Sequence, residues 1–275
     1  MQANAQVVPN PSARAENLKH LDTRHGYNTP MPNRIYSGPI SGALGELQQR
    51  IVTCRACPRL VEHRERIAQE KRTRYADWDY WGAAVPSHGD PNARLLLIGL
   101  APASHGANRT GRMFTGDPTA DFLIAALHRA GFSSQPTSQH LDDGLQLIDT
   151  YNLAVVRCAP PQDKSTPAEQ RTCREFLIEE TSLLPRVETA LALGRVAFDN
   201  YLRALSQRTG TKLRHSFAHG QRYDLGPGLP TLFACYHPSP RNTNTGRLTA
   251  QSLDDVLASV REWLDCSESS SAPLN

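Results

Sequence analysis

Four short apolar runs constrain this chain more than any other feature. They are Arg94–Gly99 (RLLLIG), Leu147–Val156, Thr189–Leu193 and Thr231–Tyr236. Runs this short with apolar residues at successive positions read as strands covered on both faces. Helical patterns fill the gaps. Ala120–Ala130 places Phe122, Leu123, Ala126 and Leu127 on one face. Thr166 starts a helix, with Pro167 at its first position and Glu169 three residues after the cap. Gly246–Leu264 aligns Leu253, Val256, Leu257, Val260 and Leu264. Strands alternating with helices predict an α/β fold, a central, mostly parallel sheet flanked by helices. Such sheets bind ligands beyond the carboxyl ends of their strands. Three irregular segments fall there: residues 99–117, 157–167 and 237–247.

Residues 1–40 are rich in Asn, Pro, Ala and Arg without an apolar period, and are expected to form a disordered extension. A single domain is expected over 41–265, with a flexible tail over 266–275. No apolar run reaches membrane-spanning length and no signal peptide is read, so a soluble, intracellular protein with no membrane partner is expected; a monomer is expected as well. The formal net charge of +3 does not argue for nucleic acid by itself. Residues 50–74, however, hold eight Arg or Lys against three Glu. Such a run is either a solvated helix face or a phosphate-binding surface. No Gly-rich Walker pattern is present.

The loop of residues 99–117, GLAPASHGANRTGRMFTGD, contains four glycines that let the backbone approach a ligand closely. Arg109 and Arg112 are expected to reach phosphates, and Phe114 offers an aromatic face. Asp117 is a candidate catalytic carboxylate and equally a candidate helix N-cap. The second loop, RCAPPQDKSTP, carries Asp163, a turn residue or a second carboxylate. In the third loop, HPSPRNTNTGR, His237 follows directly on a strand. Ser239, Arg241, Asn242 and Arg247 suit a phosphate backbone. Together these groups match what cleavage of a flipped nucleotide requires.

Of six cysteines, Cys54 and Cys57 form a C-x-x-C pair, and Cys158 and Cys173 lie fifteen residues apart. Four thiolates suit an iron–sulfur cluster or a structural zinc. Cys235 and Cys266 read as buried free thiols.

GLAPASHGANRTGRMFTGD, AVVRCAPP and YHPSPRNTNTGRLT resemble the motifs of family 5 uracil-DNA glycosylases, the prokaryotic B-type enzymes, over roughly Arg50 to Leu264. The resemblance implies the three-layer α/β sandwich of that superfamily, a DNA partner and a cytoplasmic location. It also implies a 4Fe-4S cluster on Cys54, Cys57, Cys158 and Cys173. The family's catalytic aspartate falls on Asp117, its motif histidine on His237, and its stacking aromatic on Phe114. Gly99, Ala101, Pro102, Ala103 and Ala154 then border the base. Ala101 and Ala154 stand where many relatives outside the subfamily carry polar residues, which goes with broader substrates such as hypoxanthine. Asp163 stands where Asn is expected. The alternative from another class is a non-catalytic DNA-binding protein with a structural zinc site.

Overall fold

A computed structural model describes residues 42–271. The extension expected over residues 1–40 lies outside the described residues. All four apolar runs contain strands: β2 (Leu95–Gly99), β3 (Thr150–Ala154), β4 (Thr189–Leu193) and β6 (Thr231–Cys235). They pair in parallel, β3-β2-β4-β6. Two-residue strands, β1 (His88–Gly89) and β5 (Arg222–Tyr223), close the two edges in antiparallel fashion.

Strand alternation sorts the core into two layers. Leu96 and Ile98 of β2 face helices α1 (Ala43–Val52), α5 (Pro167–Ser182) and α6 (Arg195–Thr209). Leu95 and Leu97 face α4 (Pro118–Arg129) and α8 (Ala250–Ser271). Side chains along a strand point alternately to its two faces, so one apolar run serves both layers. The helix after β2 therefore covers one face and the helix after β4 the other. Their adjacent carboxyl ends form the topological switch point where such sheets hold ligands.

Helix α2 (Pro58–Glu70) carries much of the basic run, and salt bridges absorb four of its cations, Arg50, Arg55, Arg59 and Arg66. The capping box expected at Thr166 forms with Glu169. The chain end differs from expectation: α8 continues to Ser271, where a tail had been read from residue 266. Ser267 donates to Leu264 O at 2.8 Å and to Glu188 at 2.6 Å, bonds that extend the helix without the apolar period used to place its end.

Beneath β3, Arg157 and Glu180 form an ion pair 1% and 0% exposed. Tyr151 donates to Glu180 at 2.8 Å, and Gln48 and Ser87 complete the network. Removing one partner of a buried pair strands the other charge, at a cost of about 3–5 kcal/mol. Glu180→Ala is expected to lower the unfolding free energy by about that amount in urea titrations; a loss under about 1 kcal/mol would show that Arg157 is satisfied elsewhere.

Candidate active site

The loop after β2 is tied together by two guanidinium groups. Arg109, 3% exposed, donates to His105 O and Gly116 O, each at 2.8 Å. Its plane lies over the rings of Tyr75 and Trp78, 3.9 Å from each centroid. Arg112, 6% exposed, meets both carboxylate oxygens of Asp143 at 2.8 Å and also bonds Thr115, Ser138 and Leu141. This corrects the expectation that Arg109 and Arg112 reach phosphates. A planar fork of five donors is drawn inward by a loop full of carbonyls that no strand or helix satisfies.

Asp117 serves as the N-cap of α4: its Oδ1 accepts from Ala120 N at 3.0 Å. Its Oδ2 lies 1.9 Å from where a Cβ on Gly106 would stand, so only glycine lets the loop fold back over the carboxyl group. Burial raises the Asp117 pKa, against the backbone N–H groups of Ala120 and Thr119 that lower it. The cap and the candidate catalyst are thus one residue.

Phe114 adopts φ 50°, left-handed backbone that a bulky side chain rarely occupies. Its ring lies against Gly99. Gly99 pairs in register with Ala154, so these three positions share one spot at the sheet edge. Ala101 packs against the α5–α6 layer and Pro102 is buried, while Ala103 accepts from Asn108 N at 3.0 Å.

His237 follows β6 and packs against Gly194 at the end of β4, its Cβ 3.1 Å from where a Cβ on Gly194 would stand. Burial pushes the His237 pKa down to about 4. Asn242 is turned inward, donating to His237 O at 2.8 Å. Arg241 and Arg247 are exposed, with Arg247 4.4 Å over the Tyr236 ring, and Ser239 opens the short helix α7 (Pro240–Asn244). Asp163 is exposed, on a 3-10 turn where both it and Gln162 have positive φ.

Cys54, Cys57, Cys158 and Cys173 line one cavity whose other walls include Leu60, Val61 and Phe176. Arg64 donates to Cys158 Sγ at 2.9 Å, and Arg157 N to Cys173 Sγ at 3.4 Å. Burial pushes the Cys158 and Cys173 thiols up to about 11 and 12. Among the described residues no group of three or more His, Cys, Asp or Glu is placed to hold a metal ion. Cys235 is buried as expected, but Cys266 is exposed. Sequence reasoning missed His63, whose Nε2 lies 3.3 Å from Ser104 Oγ in the first loop, and the aromatic segment Tyr75–Trp81. The aromatic density of YADWDYW just ahead of the sheet was the available signal.

An α/β sheet with these loops at one carboxyl edge defines the class: a model of the uracil DNA glycosylase superfamily matches residues 86–261, and the chain belongs to that superfamily. Its similarity is to type-5 members. It is 48% identical over 223 residues to the type-5 uracil-DNA glycosylase of Mycobacterium bovis, covering 81% of this chain and 82% of that one. It is 47% identical over 213 residues to the Thermus thermophilus type-5 enzyme (78% and 94% covered). Identity to the Pyrobaculum aerophilum type-5 enzyme is 42% over 216 residues (78% and 91% covered).

A histidine kept neutral by burial leaves a signature. The folded pKa lies below the unfolded value, so the neutral ring contributes stability above pH 6.5 that is lost as pH falls toward about 4. The His237 ring resonances are expected to stay unchanged from pH 8 to about pH 5.5, where an ordinary histidine would titrate. A midpoint near 6.5 would place the ring in water.

Proposed function

We propose that this protein is a DNA repair glycosylase. It flips uracil out of DNA and hydrolyses the N-glycosidic bond, leaving an abasic site. The observation that carries this reading is the presence, at one sheet edge, of a carboxyl group enclosed by its own loop and a half-buried histidine whose pKa desolvation lowers to about 4. The superfamily match and the names of the relatives support it.

Cleavage builds positive charge on the sugar and negative charge on the departing base. Asp117 holds and polarises the attacking water and favours the oxocarbenium-like sugar. Its raised pKa makes the acid limb of the rate profile fall at higher pH than an ordinary aspartate gives. His237, already uncharged, donates a hydrogen bond to the base carbonyl as that oxygen gains charge, in surroundings where the contact is strong. Phe114 and the Gly99–Ala103 backbone pin the ring. Ser239, Arg241 and Arg247 meet the DNA backbone. Ala154 supplies no amide to read the base edge, which extends the substrates to hypoxanthine. The protein works as a monomer in the cytoplasm. Among the described residues no helix is long and apolar enough to cross a membrane.

The test is single-turnover excision from uracil and hypoxanthine duplexes, read as alkali-labile sites. Asp117→Asn is expected to slow it by about a hundred- to ten-thousand-fold. Asp163→Asn is expected to be milder, because that carboxylate is exposed. A dead Asp163→Asn beside an active Asp117→Asn reverses the assignment. Strict uracil specificity removes the hypoxanthine extension.

We further propose that Cys54, Cys57, Cys158 and Cys173 hold a 4Fe-4S cluster. What supports this is the donor set: four thiols line one apolar cavity, with N–H donors from Arg64 and Arg157 turned toward two of them. Buried thiols that resist ionisation need a bound cation to become thiolates. The cluster would cross-link the segment before α2 to the second loop. Anaerobically purified protein is expected to contain about four iron per chain; stoichiometric zinc without iron would overturn the cluster and favour the zinc-bearing DNA-binding alternative.

A further inference from the structure

Most of the cations between residues 50 and 74 have internal partners. Arg50, Arg55, Arg59 and Arg66 pair with glutamates. Arg64 is buried beside Cys158, and Lys71 Nζ donates to Ala76 O at 3.2 Å. Arg72 and Arg74 remain. Both are exposed, and among the described residues neither has a carboxylate partner, Asp77 and Asp79 of the same segment included. Arg74 lies 4.5 Å over the ring of Tyr75.

These two guanidinium groups are not on a loose loop. The segment that carries them is stitched to the catalytic loop. Arg109 of that loop stacks on both Tyr75 and Trp78. Trp81 N and Gly82 N donate to Arg109 O and Asn108 O, each at 3.0 Å. Tyr80 Oη shares a 2.9 Å hydrogen bond with His105 Nδ1. His105 senses the resulting field: burial first, then the charges of Arg72, Arg74, Arg109 and His63, hold its pKa below the ordinary histidine value. Positive charge is therefore concentrated and held in place beside the loop that carries Asp117.

We infer that Arg72 and Arg74 form a phosphate clamp, which grips the DNA backbone beside the flipped nucleotide from the first-loop side of the site. The inference rests on the glycosylase reading. It adds a second cationic anchor to Arg241 and Arg247 of the third loop. Both residues lie ahead of residue 86, where the superfamily match begins. Because the segment is braced, its backbone loses little entropy when the arginines meet a phosphate, and each contact releases condensed counterions.

The test is the salt dependence of binding to a duplex carrying a tetrahydrofuran abasic analogue. Each phosphate contact contributes about 0.9 to the slope of log K against log salt, so Arg72→Ala/Arg74→Ala is expected to reduce the slope by about 1.8. Thermal unfolding shows whether the double variant is folded. Arg72→Lys/Arg74→Lys keeps both charges and is expected to keep the wild-type slope; its losing as much slope as the alanine variant would mean that the loss came from disturbed packing, and would overturn the clamp. An unchanged slope in the folded alanine variant also overturns it. Uracil excision by the wild-type protein is measured in parallel, so a failure of the function reading is seen separately from a failure of the clamp.

Discussion

The loop of residues 99–117 has one helical turn, Ala107–Thr110, and otherwise little regular backbone to satisfy its own polar groups. It must nonetheless be rigid, because a misplaced catalytic group loses most of its effect. Arg109 and Arg112 supply that rigidity. Buried polar groups without partners are costly, and each guanidinium satisfies several oxygens at once. Arg109 reaches His105 O and Gly116 O, and Arg112 spans to Ser138, Leu141 and Asp143. The loop thus gains the fixity of a regular element without its regular backbone. The positive φ of Phe114 is tolerated on that account: local strain persists where the surroundings over-determine it.

The same enclosure sets the electrostatics. Asp117 is folded under Gly106, which raises the cost of its charge, yet the first turn of α4 offers N–H groups that keep the charged form reachable. His237 receives no compensating carboxylate; burial alone is the cause of its lowered pKa. Desolvation thus acts on the two groups in opposite senses, raising the Asp117 pKa and lowering that of His237. Two environments, both built from backbone and apolar side chains, separate the roles of two titratable groups.

What the sequence made legible follows from local physics. The four apolar runs became the four parallel strands, and Thr166–Glu169 became a capping box, because both signals are carried by neighbours in the chain. The two-residue edge strands left no period to detect. Charge was legible but its direction was not. Arg109 and Arg112 looked like phosphate ligands and turned inward, while Arg72 and Arg74, two and four residues after Glu70, the partner in the last ion pair of α2, stayed exposed. The distinction depends on Tyr75, Trp78 and Asp143, and no local pattern announces those partners. The C-x-x-C pair was visible, but its meeting with Cys158 and Cys173 in one cavity is a tertiary fact.

That cavity and the catalytic loop share a wall. Helix α2 begins at Cys57 as its cap and runs past Arg64, whose guanidinium donates to Cys158 and to Cys54 O. The backbone carbonyl of the same residue accepts from Asn108, a fully buried side chain of the first loop, at 3.1 Å. One residue earlier, His63 meets Ser104. A single helix thus lines the four-thiol cavity with Leu60 and Val61, reaches Cys158 with Arg64, and meets the first loop with Arg64 and His63. Helices are stiff over so short a span, so anything that fixes α2 at its cysteine end also fixes the height at which Ala103 and Ser104 stand over the sheet edge. A ligand bound by the four thiols would hold α2 in place, and through Arg64 and His63 the first-loop residues Asn108 and Ser104.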